Sequence, residues 1–271
     1  MTTPHSSSRP AARLHAQPAL AVSDLHLAFA GRTVLDSVSF EVRAGELVAF
    51  LGANGSGKST TLRAVAGLVG HESGTIEVEG RPAGHRGHRD RRPRQDARTA
   101  MVFQRFHLVP RRSVLANVCT GALARMTTLQ SFLPLTFPQT VREEAMAALD
   151  RVGLAERAHE PAGRLSGGQQ QRGAIARALC QGAGVLLADE PTSALDPHAA
   201  ATVMELLRDL AETDGLAVAA VLHSPGLARQ YAHRIIGLQD GRIALSGTPQ
   251  TVTEERIAGL YGEALLEGAA A

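Results

Sequence analysis

The stretch "ELVAFLGANGSGKSTTLRAV", residues 46–65, changes character twice. An apolar run ends at Leu51, and "GANGSGKS" (52–59) then places three glycines and a lysine in eight residues. Beyond it Leu62, Val65, Ala66 and Val69 recur at helical spacing, with Gly67 or Gly70 as the stop. The pattern reads as strand, glycine loop and helix. Gly52, Gly57, Lys58 and Ser59 fall on the fixed positions of the phosphate-binding loop. A glycine-rich turn is the plainer alternative, but the flanking strand and helix are the context that the phosphate loop requires. Without Cβ atoms such a loop closes around phosphate oxygens with its N–H groups inward, and the helix start adds partial positive charge. Lys58 then reaches the β- and γ-phosphates and Ser59 ligates Mg²⁺.

Working outward, "VSDLHLAFA" (22–30) and "TVLDSVSFEV" (33–42) precede the loop as strands, and "SGTIEVEG" (73–80) alternates as another. "TAMVF" (99–103) is a short strand. From Val141 a helical face runs through Ala145, Ala148, Leu149 and Val152 and stops at "GL". A further helix spans Gly168 to about Leu179. "GVLLAD" (184–189) and "LAVAAVL" (216–222) are short apolar runs of the kind buried on both faces of a parallel sheet, each followed by a helix. The alternation argues for an α/β core.

Composition narrows the function. The 271 residues carry a formal net charge of +2, which gives no general basic footprint for nucleic acid. Cys119 and Cys180 match no metal or redox spacing and read as buried, inert thiols of a reducing compartment. No apolar run reaches the roughly 20 residues of a membrane span, and the N-terminus lacks a signal-peptide core, so a soluble cytosolic chain is expected. Residues 1–18 read as a disordered tail. The basic stretch 81–98 is scattered with Gly and Pro and reads as a solvated loop; His85 and His88 within it have no ligand companions. The segment "TTLQSFLPLTFP" (127–138) is unusually apolar for a loop, and packs or covers a partner.

Two further motifs carry chemistry. "LLADEP" (186–191) ends an apolar strand in Asp189, which puts a carboxylate at the edge where open α/β sheets bind ligands and where Mg²⁺ would be held; Glu190 follows directly. Taken alone, paired acids at a strand end are equally a helix-capping arrangement. "LSGGQQQR" (165–172) is a second glycine-bearing anion nest at a helix start. With the first loop already holding phosphates, this nest asks for the nucleotide of another chain.

The string "LSGGQ" resembles the signature motif of ATP-binding cassette (ABC) ATPases, and the resemblance covers about residues 20–262. It implies the P-loop NTPase ABC ATPase fold: a mostly parallel α/β core, an antiparallel β subdomain and a helical signature subdomain at about 105–180. The ATPase domain would run from 19 to 262, followed by a tail at 263–271. ATP and Mg²⁺ are the implied ligands. Phe29 matches the aromatic that stacks on adenine, and Asn54, Gly55, Ser56 and Thr60 complete the loop around the phosphates. Gln104 in "MVFQ" matches the glutamine that senses the γ-phosphate and Mg²⁺ and links to the transporter. Ser166, Gly167, Gly168 and Gln169 match the signature residues that meet ATP. Asp196 in "SALD" matches the loop that communicates across the dimer, and His223 in "VLHS" the histidine on the γ-phosphate. Glu190 would polarise the attacking water, with Ser59, Gln104 and Asp189 around the metal. A homodimer, two integral-membrane permease subunits and an external substrate-binding protein are the implied partners, without nucleic acid, at the cytoplasmic face of the inner membrane.

Within the family, "MVFQRFHLVPRRSVLANV", the insert "TTLQSFLPLTFP", "GLAERAHEPAGRLSGGQQQR", "ARQYAHRIIGLQDGRI" and "LYGE" resemble the ATP-binding subunits of phosphonate importers. Amino acid importers share part of these strings, and ABC-like components also occur in soluble phosphonate-degrading assemblies. The chain departs from the pattern at 81–98 and at Gly173, which stands in the signature helix where an aliphatic residue is usual. Its ending soon after "LYGE" is expected to leave no room for a regulatory domain.

Overall fold

The structure is a computed structural model that describes residues 17–84, 97–126 and 137–261. Residues 1–16 of the expected tail, 85–96 of the basic stretch with His85 and His88, 127–136 of the apolar insert and the end from 262 lie outside the described residues.

The first sheet is antiparallel. It contains β1 (Leu20–Phe29), β2 (Arg32–Val42), β4 (Ser73–Val78) and β5 (Arg81–Pro82), in the order β2-β1-β4-β5. The second has six strands: β3 (Leu47–Leu51), β6 (Thr99–Val102), β7 (Val185–Asp189), β8 (Ala217–Val221), β9 (Arg234–Gln239) and β10 (Arg242–Gly247), in the order β10-β9-β3-β8-β7-β6. All its neighbours pair in parallel except β10, which closes one edge antiparallel to β9.

Residues of β3 and β7 are buried along their whole length, as their uninterrupted apolar sequences require. Alternate side chains enter two different cores. Leu47, Ala49 and Leu51 of β3, with Leu186 and Ala188 of β7, face the core shared with α2 (Val114–Cys119), α3 (Gln139–Arg151), α4 (Gly167–Cys180) and α5 (Pro197–Asp214). Val48 and Phe50, with Val185 and Leu187, face the antiparallel sheet and α1 (Lys58–Val65). There the rings of Phe50 and Phe40 meet edge-on with centroids 5.0 Å apart, an apolar contact between the two sheets.

The helices largely follow the sequence pattern. Val141, Ala145, Ala148 and Leu149 form the buried face of α3, and Gly153 beyond it has φ 67°. The first helix is shorter than its apolar spacing suggests: α1 closes at Val65, Gly67 takes φ 70°, and Val69 packs on the core from outside the helix. The helix begins at Gly167 rather than Gly168 in α4. Gly173 packs closely, and a Cβ there would lie 3.3 Å from Leu108 Cδ1 and 3.9 Å from Val114 Cγ1.

The parallel register brings the carboxyl ends of three strands together. Val221 is opposite both Phe50 of β3 and Asp189 of β7. Whatever follows those strands must converge at one edge of the sheet.

Candidate nucleotide site

The chain leaves β3 at Leu51 and re-enters regular structure at Lys58, with Gly57 as the N-cap of α1 at φ 103°. A side chain at Gly57 would put its Cβ 2.7 Å from Leu35 Cδ2, and one at Gly52 would lie 2.1 Å from the Leu238 carbonyl. Gly52 is required by that backbone carbonyl, and Gly57 by its positive φ, which strains any side chain. No side chain caps the start of α1. The N–H groups of its first turn have no intrahelical acceptor, so an external anion is the group that suits them.

Lys58 is buried, and Nζ donates to the carbonyls of Gly52 and Ala53 at 2.8 Å each. Burial lowers its pKa, opposed by the nearby carboxylates of Glu190 and Asp189. The loop is braced from behind by the β9–β10 turn, where Gly241 N–H donates to the Ser56 carbonyl at 3.2 Å and the Gly241 carbonyl accepts from Asp36 N–H at 2.9 Å.

A cavity of about 500 Å³ opens over the loop, lined by Phe29, Arg32, Thr33, Val34, Asn54, Gly55, Gly57, Lys58, Ser59, Thr60, Glu190, Asp240 and Gly241. Phe29, nearly half exposed, stands at one end with its ring available for stacking. From the end of β7, Glu190 also lines the space. Its backbone takes φ 54°, an uncommon conformation for a residue with a side chain, and its Oε1 lies 2.8 Å from Nε2 of His223, two residues past β8. Asp189, 3% exposed, has one oxygen on Arg63 Nη2 at 3.1 Å, while Oδ1 is buried without a hydrogen-bond partner among the described residues. An anionic oxygen left buried and unpaired is costly, and it fits a cation that binds there. The hard oxygen donors Ser59 and Asp189 suit Mg²⁺.

Other expected residues stand apart. Gln104 follows β6, is exposed and does not line the cavity. Ser166, Gly167, Gly168 and Gln169 begin α4, with Ser166 Oγ accepting from Gln169 N–H at 3.3 Å and Gln169 Oε1 accepting from Ser166 N–H at 3.0 Å. Asp196 caps α5 through the Ala199 N–H at 2.9 Å. The two segments touch: a Cβ on Gly168 would lie 2.9 Å from Ala199 Cβ, and one on Gly167 would lie 3.4 Å from Leu195 Cδ2. Neither segment lines the cavity of its own chain.

Sequence reasoning missed Arg63, Arg32 and Asp240. Arg63 sits in the last turn of α1, where a basic residue reads as a complement to the helix dipole, and its carboxylate partner is 126 positions away. Asp240 carried only the signal of an Asp-Gly turn. Both cysteines are free and buried, as expected, and burial pushes the Cys119 thiol up to about 11.

A family model described as ABC transporter matches residues 35–193. The chain is 44% identical over 247 residues to the phosphonates import ATP-binding protein PhnC of Maricaulis maris, covering 90% of this chain and 93% of that one. It is 51% identical over 217 residues to the PhnC protein of Frankia casuarinae, covering 79% and 85%. Among solved structures, a dimeric post-hydrolysis ATP-binding cassette bound to ADP and Pi is similar with a TM-score of 0.69 at 29% identity, covering 85% of this chain and 98% of that one.

Proposed function

The chain belongs to the ABC transporter family of ATP-binding proteins, and from that premise we propose that two copies, arranged head to tail, hydrolyse ATP to drive import of phosphonates. The observation that carries this reading is the separation within one chain: the phosphate loop and Glu190 line a cavity that the glycines of "LSGGQ" do not reach, with His223 behind it on Glu190. A second copy would bring its Ser166, Gly167, Gly168 and Gln169 over that cavity and close it. The dimeric cassette with ADP and Pi supports this arrangement by similarity.

In the closed site the adenine would stack on Phe29. The phosphates would take the N–H groups of the loop and of Ser59 and Thr60, and Lys58 would exchange its carbonyl acceptors at Gly52 and Ala53 for β- and γ-phosphate oxygens. Glu190 would accept a proton from the attacking water and so polarise it, with His223 holding the carboxylate in place and contacting the γ-phosphate. Mg²⁺, when bound, neutralises charge on the transferred phosphoryl group. Ser59, Asp189 and Gln104 would hold it. No helix among the described residues is long and apolar enough to cross a membrane, which is consistent with a subunit that works against separate permease subunits at the membrane's cytoplasmic face. The phosphonate assignment is supported by the named relatives.

The test is ATPase activity of the chain reconstituted in liposomes with its permease and substrate-binding protein. Activity should rise with a phosphonate-loaded binding protein. Stimulation by an amino acid and by no phosphonate contradicts the substrate assignment.

A further inference from the structure

The two oxygens of Asp189 are in different surroundings. Oδ2 accepts from Arg63 Nη2 at 3.1 Å, whereas Oδ1 is buried and meets no hydrogen-bond donor among the described residues. Asp189 itself has only 5% of its side chain exposed. Arg63 lies on α1, the helix whose first turn carries Lys58 and Ser59. One helix therefore presents groups to the phosphates at its start and a guanidinium to the acid at its end.

A carboxylate at a strand end turns broadly about its last torsion. A donor fixed to one oxygen restricts that rotation and leaves the other oxygen with a defined direction. Groups that orient a metal ligand in this way commonly affect metal binding as strongly as a weak ligand does. The opposing effect is repulsion between guanidinium and metal ion. Arg63 is 49% exposed, so water screens its charge and reduces that repulsion.

We infer that Arg63 is a positioning residue for the metal site: by holding Asp189 Oδ2 it aims Oδ1 at the divalent cation that accompanies ATP. This rests on the reading of Asp189 as a metal ligand. The competing account, in which Arg63 only complements the α1 dipole, predicts an effect on stability and none on the metal.

The experiment compares the full-length chain with Arg63→Met, which keeps an apolar stem, and Arg63→Lys, which keeps the charge. Affinity for a fluorescent ADP analogue is measured with Mn²⁺ and with EDTA, and the spectrum of bound Mn²⁺ is recorded by electron paramagnetic resonance. Thermal unfolding reports whether each variant folds. In Arg63→Met the gain in affinity that Mn²⁺ confers should fall about tenfold, while binding in EDTA stays at the wild-type level. Arg63→Lys should recover a large part of the gain. Equal or stronger metal enhancement in Arg63→Met, or the same loss in EDTA, overturns the role of Arg63 and leaves Asp189 as a ligand. A wild-type chain to which Mn²⁺ gives no enhancement and no bound spectrum overturns the metal-site reading, and this inference with it.

Discussion

Glu190 Oε1 and His223 Nε2 are 2.8 Å apart, although 33 positions separate them in sequence, because β7 and β8 are parallel neighbours that end side by side. The carboxylate lines the cavity and the imidazole is paired to it. Glu190→Gln keeps size and hydrogen bonding but removes the group that polarises water. Turnover should fall roughly 10²–10⁴-fold, with ATP affinity of the monomer near wild type in equilibrium titration. His223→Ala should lower turnover roughly 10²-fold. Full activity in either variant would remove that residue from the mechanism.

Lys58 carries the ammonium nearest the loop, and it is held by two backbone carbonyls at 2.8 Å. Replacing it by Ala removes the charged hydrogen bonds to the phosphates. Nucleotide affinity, measured by titration with a fluorescent ATP analogue, should weaken by about 10- to 100-fold. Unchanged affinity would contradict the phosphate-loop assignment.

Alkaline stability should report the buried cysteines. Burial, and secondarily the neighbouring Cys180, raise Cys119 from 9.0 to about 11. A folded pKa above the unfolded one means that the contribution is complete below pH 9 and is lost as pH rises through 11. On the order of 2–3 kcal/mol of unfolding free energy should disappear across that window. Urea unfolding from pH 8 to 11 checks it, and Cys119→Ala should flatten the slope.

Much of this was legible in the sequence because each motif sits on its own strand end or helix start. The apolar runs at 184–189 and 216–222 read as parallel strands and the one at 46–51 as a strand, and the structure brings their ends to one edge. What stayed hidden is pairing across long separations. The Arg63–Asp189 contact joins the end of a helix to a distant strand, and nothing in the local pattern at either residue marks it. The bracing of Ser56 by Gly241 is hidden for the same reason. Gly173 looked unfavourable by helix propensity alone; the close approach of Leu108 is visible only once α4 is packed.

The central claim is that "LSGGQ" of one chain completes the ATP site of another. Gly167 is the position at which to test it. A Cβ there makes only an ordinary contact, 3.4 Å from Leu195 Cδ2, and an acidic residue in the first turn suits the helix dipole, so Gly167→Asp should fold. Facing a partner's γ-phosphate, the same carboxylate is repelled. The decisive measurement is light-scattering mass in the presence of ATP for Glu190→Gln and for Glu190→Gln combined with Gly167→Asp. The account predicts a dimer for the first and a monomer that still binds ATP for the second; equal dimerisation of both would contradict it.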